Sequence, residues 1–246
     1  MSSSDPILKD RGLVLRWYPV TDTSRIVIWF TRQYGRVATL ARGSQRPKSW
    51  VLGQFDLFYT CEVLFYARAR EDLHPLRECS PLARRSNFRY DWRACAGASF
   101  VCDLLSRLTP PRASAPVLYE QAARTLDLLC EQGISPALLF WFELQALRDL
   151  GVAPDYALPE AAQLYFDIPQ GRLRAHPGED QRLTPPLTRG SLTCLQELLG
   201  TSEPSRLSRL RLLPEQVSEI ADHLQEFTRW HLDLDLRSRA RALAWI

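Results

Sequence analysis

The apolar residues of this 246-residue chain change their period once, near Pro81, and that change limits the possible folds more than any other feature. Before it, from Arg11 to about Leu82, short alternating or β-branched runs are separated by turn residues, the pattern of a small all-β unit. Five strands are predicted: Gly12 to Pro19, Arg25 to Thr31, Arg36 to Ala41, Gln54 to Tyr66, and a weaker one from Leu73 to Cys79. In the second, Ile26, Ile28 and Phe30 share one face while Val27 and Trp29 share the other. Both faces are apolar, which fits a strand of a closed barrel covered by further structure. Gln33-Tyr34-Gly35 offers a tight hairpin turn in which Gly35 supplies the positive φ. Five short strands in about seventy residues are what an OB-type barrel requires.

Beyond Pro81 the period becomes helical. Arg93 to Leu108, Pro116 to Glu131 and Pro136 to Leu150 carry apolar residues three and four apart, with Pro110-Pro111, Gly133 and Gly151 at their ends. From Val152 to Gly190 the period is lost and six prolines appear, so this stretch reads as a long irregular loop or a vestigial subdomain, with Tyr165, Phe166 and Ile168 as its compact apolar cluster. Helices resume at Thr188 to Leu199 and Pro214 to Asp233, the latter with Val217, Ile220, Leu224, Phe227 and His231 on one stripe. The expected fold is therefore α+β: an N-terminal OB-fold barrel over residues 1–82, then a larger α-helical domain over 83–246 with the irregular loop at about 152–190.

Charge is unevenly distributed along this framework. Residues 1–70 hold eleven Lys/Arg against five Asp/Glu, a net of +6, and the remainder holds 20 against 23, a net of −3. All of the basic residues except Lys9 and Lys48 are arginines, whose planar fork suits phosphate and stacks on bases. A general preference for arginine over lysine accounts for the same composition. The first ten residues have no apolar core of a secretory signal, and the most apolar stretch, Ala137 to Leu147, is short and contains Glu143. A cytoplasmic chain is expected, and its six cysteines, without any C-x-x-C pair, read as buried thiols.

Motifs for bond-making chemistry are missing from the text. There is neither G-x-x-x-x-G-K-[ST] nor G-x-G-x-x-G, so no nucleotide cofactor is expected. His74, His176, His223 and His231 lack metal-ligand spacing, and no G-x-S-x-G elbow occurs. A hydrolase with a dispersed active site stays open as an alternative, and it requires histidines converging with carboxylates. The best functional candidate is Arg42-Gly43-Ser44-Gln45-Arg46-Pro47-Lys48-Ser49-Trp50, which joins two strands with three cations and an aromatic. Non-specific strand binding needs cations that follow a phosphate backbone and aromatic faces for bases, and Trp50 offers such a face. A solvated loop with Trp50 covering the barrel core fits the same residues. A second basic group, Arg237, Arg239 and Arg241, follows the last long helix, where cations also complement the helix dipole.

At this point the residues resemble those of the RecO family of recombination mediators. Asp10-Arg11-Gly12-Leu13-Val14-Leu15, Tyr18, Ser24, Ile26, Phe30-Thr31 and Gly35 look like the family's opening strands. Ala41 to Ser49 resembles its K-G-A-R-R-x-K-S signature, departing at Ala41-Arg42 and Gln45, and Gln54-Phe55-Asp56-Leu57 follows as the family's next strand does. Phe142-Glu143-Leu144 through Leu150-Gly151 is similar to F-E-L-x-x-L-x-x-L-G, and Leu236-Arg237-Ser238-Arg239 to a terminal L-K-S-R. The resemblance implies a non-enzymatic OB-fold protein of the RecF pathway. Such a protein binds single- and double-stranded DNA, anneals complementary strands, and acts with RecR and with the C-terminal tail of the single-stranded DNA-binding protein SSB to load the recombinase. It implies Arg42, Arg46 and Lys48 as DNA contacts, with Arg32 and Arg36 on the neighbouring hairpin as lesser ones; Trp50, Arg237 and Arg239 join them as candidates. Many members hold zinc through two C-x-x-C pairs, which would fall near Pro154 to Ala157 and Ala175 to Gly178. Neither pair is present, so no zinc is expected, and packing of Tyr165 and Phe166 is expected in its place. An OB-fold adaptor that binds protein rather than DNA is the alternative.

Overall fold

A computed structural model describes residues 5–157, 165–175, 183–184 and 187–244. The front of the chain forms β1 (Ile7–Pro19), β2 (Arg25–Thr31), β3 (Gly35–Ala41), β4 (Thr60–Tyr66) and β5 (Leu73–Ala83), closed into a barrel in the order β1-β2-β3-β5-β4. All neighbours are antiparallel except β3 and β5, and the long β1 closes the barrel by pairing with both β2 and β4. This is the OB-fold expected from the strand spacing. Four strand boundaries differ from the expected ones: β3 starts one residue earlier, at Gly35, β5 runs four residues further, to Ala83, and the starts of β1 and β4 move by more. β1 begins five residues earlier, where Ile7 to Arg11 pair with β4. β4 begins at Thr60 rather than Gln54, because turns at 51–54 and 57–58 replace the start of the strand, and Phe55 between them is buried in the barrel core.

Alternation along β2 sorts side chains into the barrel and out of it. Val27 and Trp29 point inward with Val37, Val63 and Phe65, and the indole Nε1 of Trp29 donates to Thr39 Oγ1 at 2.8 Å, so its buried N–H is satisfied. Phe30, on the opposite face, is equally buried and meets the ring of Tyr119 at 6.1 Å. That contact explains why both faces of β2 are apolar. The turn into β3 places Gly35 at φ +62°, with the position of a Cβ only 2.1 Å from the Ala113 carbonyl oxygen. No other residue fits there.

Among the described residues six α-helices follow: α1 (Trp92–Leu108), α2 (Pro116–Gln132), α3 (Pro136–Asp149), α4 (Arg189–Gly200), α5 (Pro214–Leu232) and α6 (Arg237–Leu243). The chain divides into two compact units, residues 1–92 with 101–131, and residues 93–100 with 132–246. The C-terminal part of α1 and nearly all of α2 thus belong with the barrel. Arg85 fastens α2 there: its buried guanidinium donates to Phe58 O and Thr60 Oγ1 on the barrel side and to Asp127 of α2, at 2.7 to 2.9 Å.

The second unit is built around α3, on which every residue from Ala137 to Leu147 is buried. A helix that is hydrophobic all round occupies a centre. Its polar side chains serve the end of α4: Gln145 donates to Leu198 O, Arg148 to Leu199 O and Trp141 Nε1 to Thr201 O, satisfying carbonyls that a helix end leaves open. Pro136 and Pro214 open α3 and α5 at the first helical position, where the missing N–H costs nothing. The stretch read as an irregular loop contains β6 (Tyr165–Asp167), β7 (Arg172–Arg174) and β8 (Leu183–Thr184), a small sheet in the order β7-β6-β8. Three-residue strands leave no periodicity that a sequence window detects.

Candidate nucleic-acid interface

The basic loop after β3 is a chain of consecutive turns. Arg46 N donates to Gly43 O, Ser49 N to Arg46 O, Leu52 N to Ser49 O and Gln54 N to Val51 O, at 2.9 to 3.2 Å. It is fastened to the β1–β2 turn. Gly43 N donates to Ser24 Oγ, Gln45 N to Thr23 O, and the fully buried Ser44 hydroxyl to Thr23 O. Gly43 takes φ +63°, which lets the chain double back. The far end is anchored by Val51, buried in the barrel core. Between the anchors Arg42, Arg46, Lys48 and Trp50 are exposed, and among the described residues none of the three cations is paired with a carboxylate. Trp50 is 56% exposed, so Val51, not Trp50, covers the core.

The structure separates the other arginines named from the sequence. Arg32 sits at the turn of the β2–β3 hairpin, exposed and paired with Glu120 at 2.7 Å. Arg36, at the start of β3, donates to the Ser106 carbonyl and lies six residues before Arg42, about 20 Å along the strand. It lines a cleft of about 470 Å³ with Arg16, Tyr18, Ile28, Asp103 and Arg107. Arg16, Tyr18 and Arg107 were not among the expected DNA contacts. A bulge between Val14 and Arg16 resets the alternation of β1 and turns Arg16 and Tyr18 outward. Asp103 and Arg107 are a helical i,i+4 pair that was legible in the text.

Arg237 is exposed and paired with Asp235. Arg239 is corrected as a DNA contact. Its side chain is 2% exposed, and its guanidinium donates to the buried carboxylate of Glu143 at 2.5 Å and to Gln225 Oε1 at 2.7 Å. Buried to this extent, it is out of reach of a phosphate in solvent.

The second unit holds a larger apolar cavity of about 790 Å³, lined by Ile134, Pro136, Leu212, Val217 and Leu243 among others, with Arg211 the one cation among the described residues around it.

Comparison with known families places these features. Residues 1–85 match the model for the recombination protein O N-terminal domain, and residues 89–240 match that for its C-terminal domain. The chain belongs to the RecO family. It is 27% identical over 239 residues to the DNA repair protein RecO of Exiguobacterium sibiricum, covering 94% of both chains, and 24% identical to that of Prosthecochloris aestuarii, covering 92% of both. With the DNA repair protein RecO of Acidithiobacillus ferrooxidans it shares 37% identity over 161 residues, which cover 60% of this chain and 56% of that one. The family motifs acquire a structural meaning here, because Glu143 of the F-E-L segment and Arg239 of the terminal L-R-S-R segment are the two halves of the buried pair.

Among the described residues no group of three His, Cys, Asp or Glu is placed to hold a metal ion. His176 to Gly178, where half of the second zinc cysteine pair would fall, lie outside the described residues. Phe166 is buried as expected, but its partners are Tyr156, His223 and Phe227, at ring separations of 4.5 to 6.3 Å, while Tyr165 on the opposite face of β6 is only half-buried. Each described histidine has a structural partner within its own unit. His74 stacks on Phe65 in the barrel, His223 contacts the Tyr156 hydroxyl, and His231 Nε2 donates to Ile168 O. Of the six cysteines, Cys61, Cys79 and Cys102 are buried and the other three are half-buried. No described helix is long and apolar enough to cross a membrane.

Proposed function

We propose that this RecO family DNA repair protein is a mediator that binds single- and double-stranded DNA and promotes annealing of complementary strands without making or breaking covalent bonds, as a cytoplasmic, nucleoid-associated protein. The observation that carries this is the fastened loop with Arg42, Arg46 and Lys48 exposed, without a carboxylate partner among the described residues, beside an exposed Trp50. A loop whose backbone is already ordered presents its cations to phosphates at little entropic cost on binding. In a fluorescence-transfer assay without ATP, the wild-type chain is expected to accelerate annealing of complementary oligonucleotides. An Arg42→Ala/Arg46→Ala/Lys48→Ala variant is expected to fall to the rate of the strands alone; equal acceleration by both would remove the loop from the reaction.

Partnership with RecR and with the SSB tail completes the proposal. The tail is an acidic peptide ending in a carboxylate, which calls for an apolar pocket with a cation at its rim. The 790 Å³ cavity beside Arg211 has that character. Arg211→Glu is expected to weaken binding of a labelled SSB-tail peptide about tenfold or more, since it sets like charges against each other. Unchanged affinity would place the tail elsewhere.

A further inference from the structure

What orders the basic loop lies outside it, in the turn between β1 and β2. Residues 20–24 close that turn on themselves: Val20 N donates to Ser24 O at 2.9 Å, Ser24 N to Thr21 Oγ1 at 3.1 Å, and Thr23 N to the same hydroxyl at 3.4 Å. The exit into β2 is pinned as well. The Arg25 guanidinium lies over the Trp17 ring, 3.8 Å from its centroid, and Arg25 pairs in register with Ala41, the last residue of β3. On this fixed platform three donors of the loop converge. Gly43 N donates to Ser24 Oγ at 3.1 Å, while Gln45 N and Ser44 Oγ both donate to Thr23 O, at 3.0 and 3.5 Å. Ser24 is the side chain among these acceptors, and it holds the amide at which the chain doubles back. Arg46 folds over the same point, since a Cβ at Gly43 would lie 3.4 Å from both Cδ and Nε of Arg46. The place of that cation is therefore tied to the Gly43–Ser24 hydrogen bond.

We infer that the β1–β2 turn is a latch on the basic loop, with Ser24 as a positioning residue that sets DNA affinity without touching DNA. With the latch closed, the backbone from Gly43 to Arg46 is held in one conformation and Arg42, Arg46 and Lys48 are presented together. With it open, the same cations belong to a flexible segment that must be ordered again on binding, which weakens association although every charge remains. Ser44 is fully buried in the latch, so its hydroxyl serves the turn and not a ligand. The role of Ser24 rests on the DNA-binding reading above, whereas the latch itself does not.

Limited trypsin digestion without DNA and anisotropy with a labelled single-stranded oligonucleotide test the two halves separately. Trypsin cuts after Arg42 and Lys48 when the loop opens, and the rate follows the opened population; Pro47 blocks the bond after Arg46. In Ser24→Ala/Ser44→Ala, cleavage at these two positions is expected to be about tenfold faster, for two lost hydrogen bonds, with cleavage elsewhere as in wild type. Affinity is expected to fall about threefold, less than the change in cleavage, because opening weakens binding only as the closed form ceases to be the majority. The salt slope should stay that of wild type, since the three cations remain. Ser24→Thr keeps the hydroxyl and is expected to match wild type in both measurements. Unchanged cleavage in the double variant would show that the turn does not order the loop. Faster cleavage with unchanged affinity would remove Ser24 from DNA binding. A weaker affinity with a shallower slope would mean that phosphate contacts are lost, and would overturn a purely positioning role. If wild type binds no DNA, the DNA-binding reading falls and the role of Ser24 with it, while digestion still decides whether the latch exists.

Discussion

Replacing Arg239 by alanine is expected to lower the unfolding free energy by about 3–5 kcal/mol. The mechanism is an uncompensated charge. Glu143 is fully buried at the middle of α3; Arg239 is its cation, and its other oxygen, Oε2, has no hydrogen-bond partner among the described residues. Burial pushes the Glu143 carboxyl above the usual range and Arg239 holds it down, with burial the stronger influence. Without the arginine the carboxylate must take up a proton in the folded state, so the loss at neutral pH should narrow as the medium is acidified. Urea denaturation at pH 7 and pH 5 measures both. The double variant Glu143→Leu/Arg239→Met, which replaces the pair with apolar side chains, should recover most of the stability. A single variant as stable as wild type would mean that the pair does not hold α6 to α3.

Acid should destabilise the second unit through His223. Burial depresses this imidazole to about 4; Glu219 opposes the shift and Arg239 adds to it. Its Nε2 is hydrogen-bonded to the buried Tyr156 hydroxyl at 2.9 Å, and Phe166 meets its ring edge-on at 4.5 Å. The unfolded chain takes up this proton near pH 6.5, well before the folded chain does. Stability is therefore fully present above pH 6.5 and is lost as pH falls toward 4, by roughly 3 kcal/mol in all. A Tyr156→Phe/His223→Phe variant removes both polar partners together and should lose about 2–3 kcal/mol less than wild type between pH 7 and pH 4.5. Parallel curves for the two proteins would show that His223 already titrates normally in the folded state.

How far the residues themselves reveal this molecule depends on the length over which a pattern persists. The barrel was legible because seven-residue strands repeat the alternation several times, and the hairpin at Gly35 because only glycine meets the conformation and the space. The Tyr165–Asp167 sheet was not, since three residues carry no period. Among the site residues, Arg42, Arg46 and Lys48 lie on a loop where exposure follows from composition. Arg239 resembled them in the text, and its burial depends on Glu143, 96 positions away, a pairing that no local pattern contains. Arg16 and Tyr18 were hidden for a related reason: the bulge at Val14 and Arg16 reverses the alternation that would have placed them.

The central claim is that the fastened loop binds DNA through its three cations. Anisotropy of a labelled single-stranded oligonucleotide across a salt series, with wild type and with Arg42→Ala/Arg46→Ala/Lys48→Ala, tests it most directly. The account predicts wild-type affinity that falls steeply with salt, and a variant that binds more weakly with a log–log slope shallower by about 2, three contacts at about 0.7 each. Equal affinity and equal slope for the two proteins, or no binding by wild type, would contradict it.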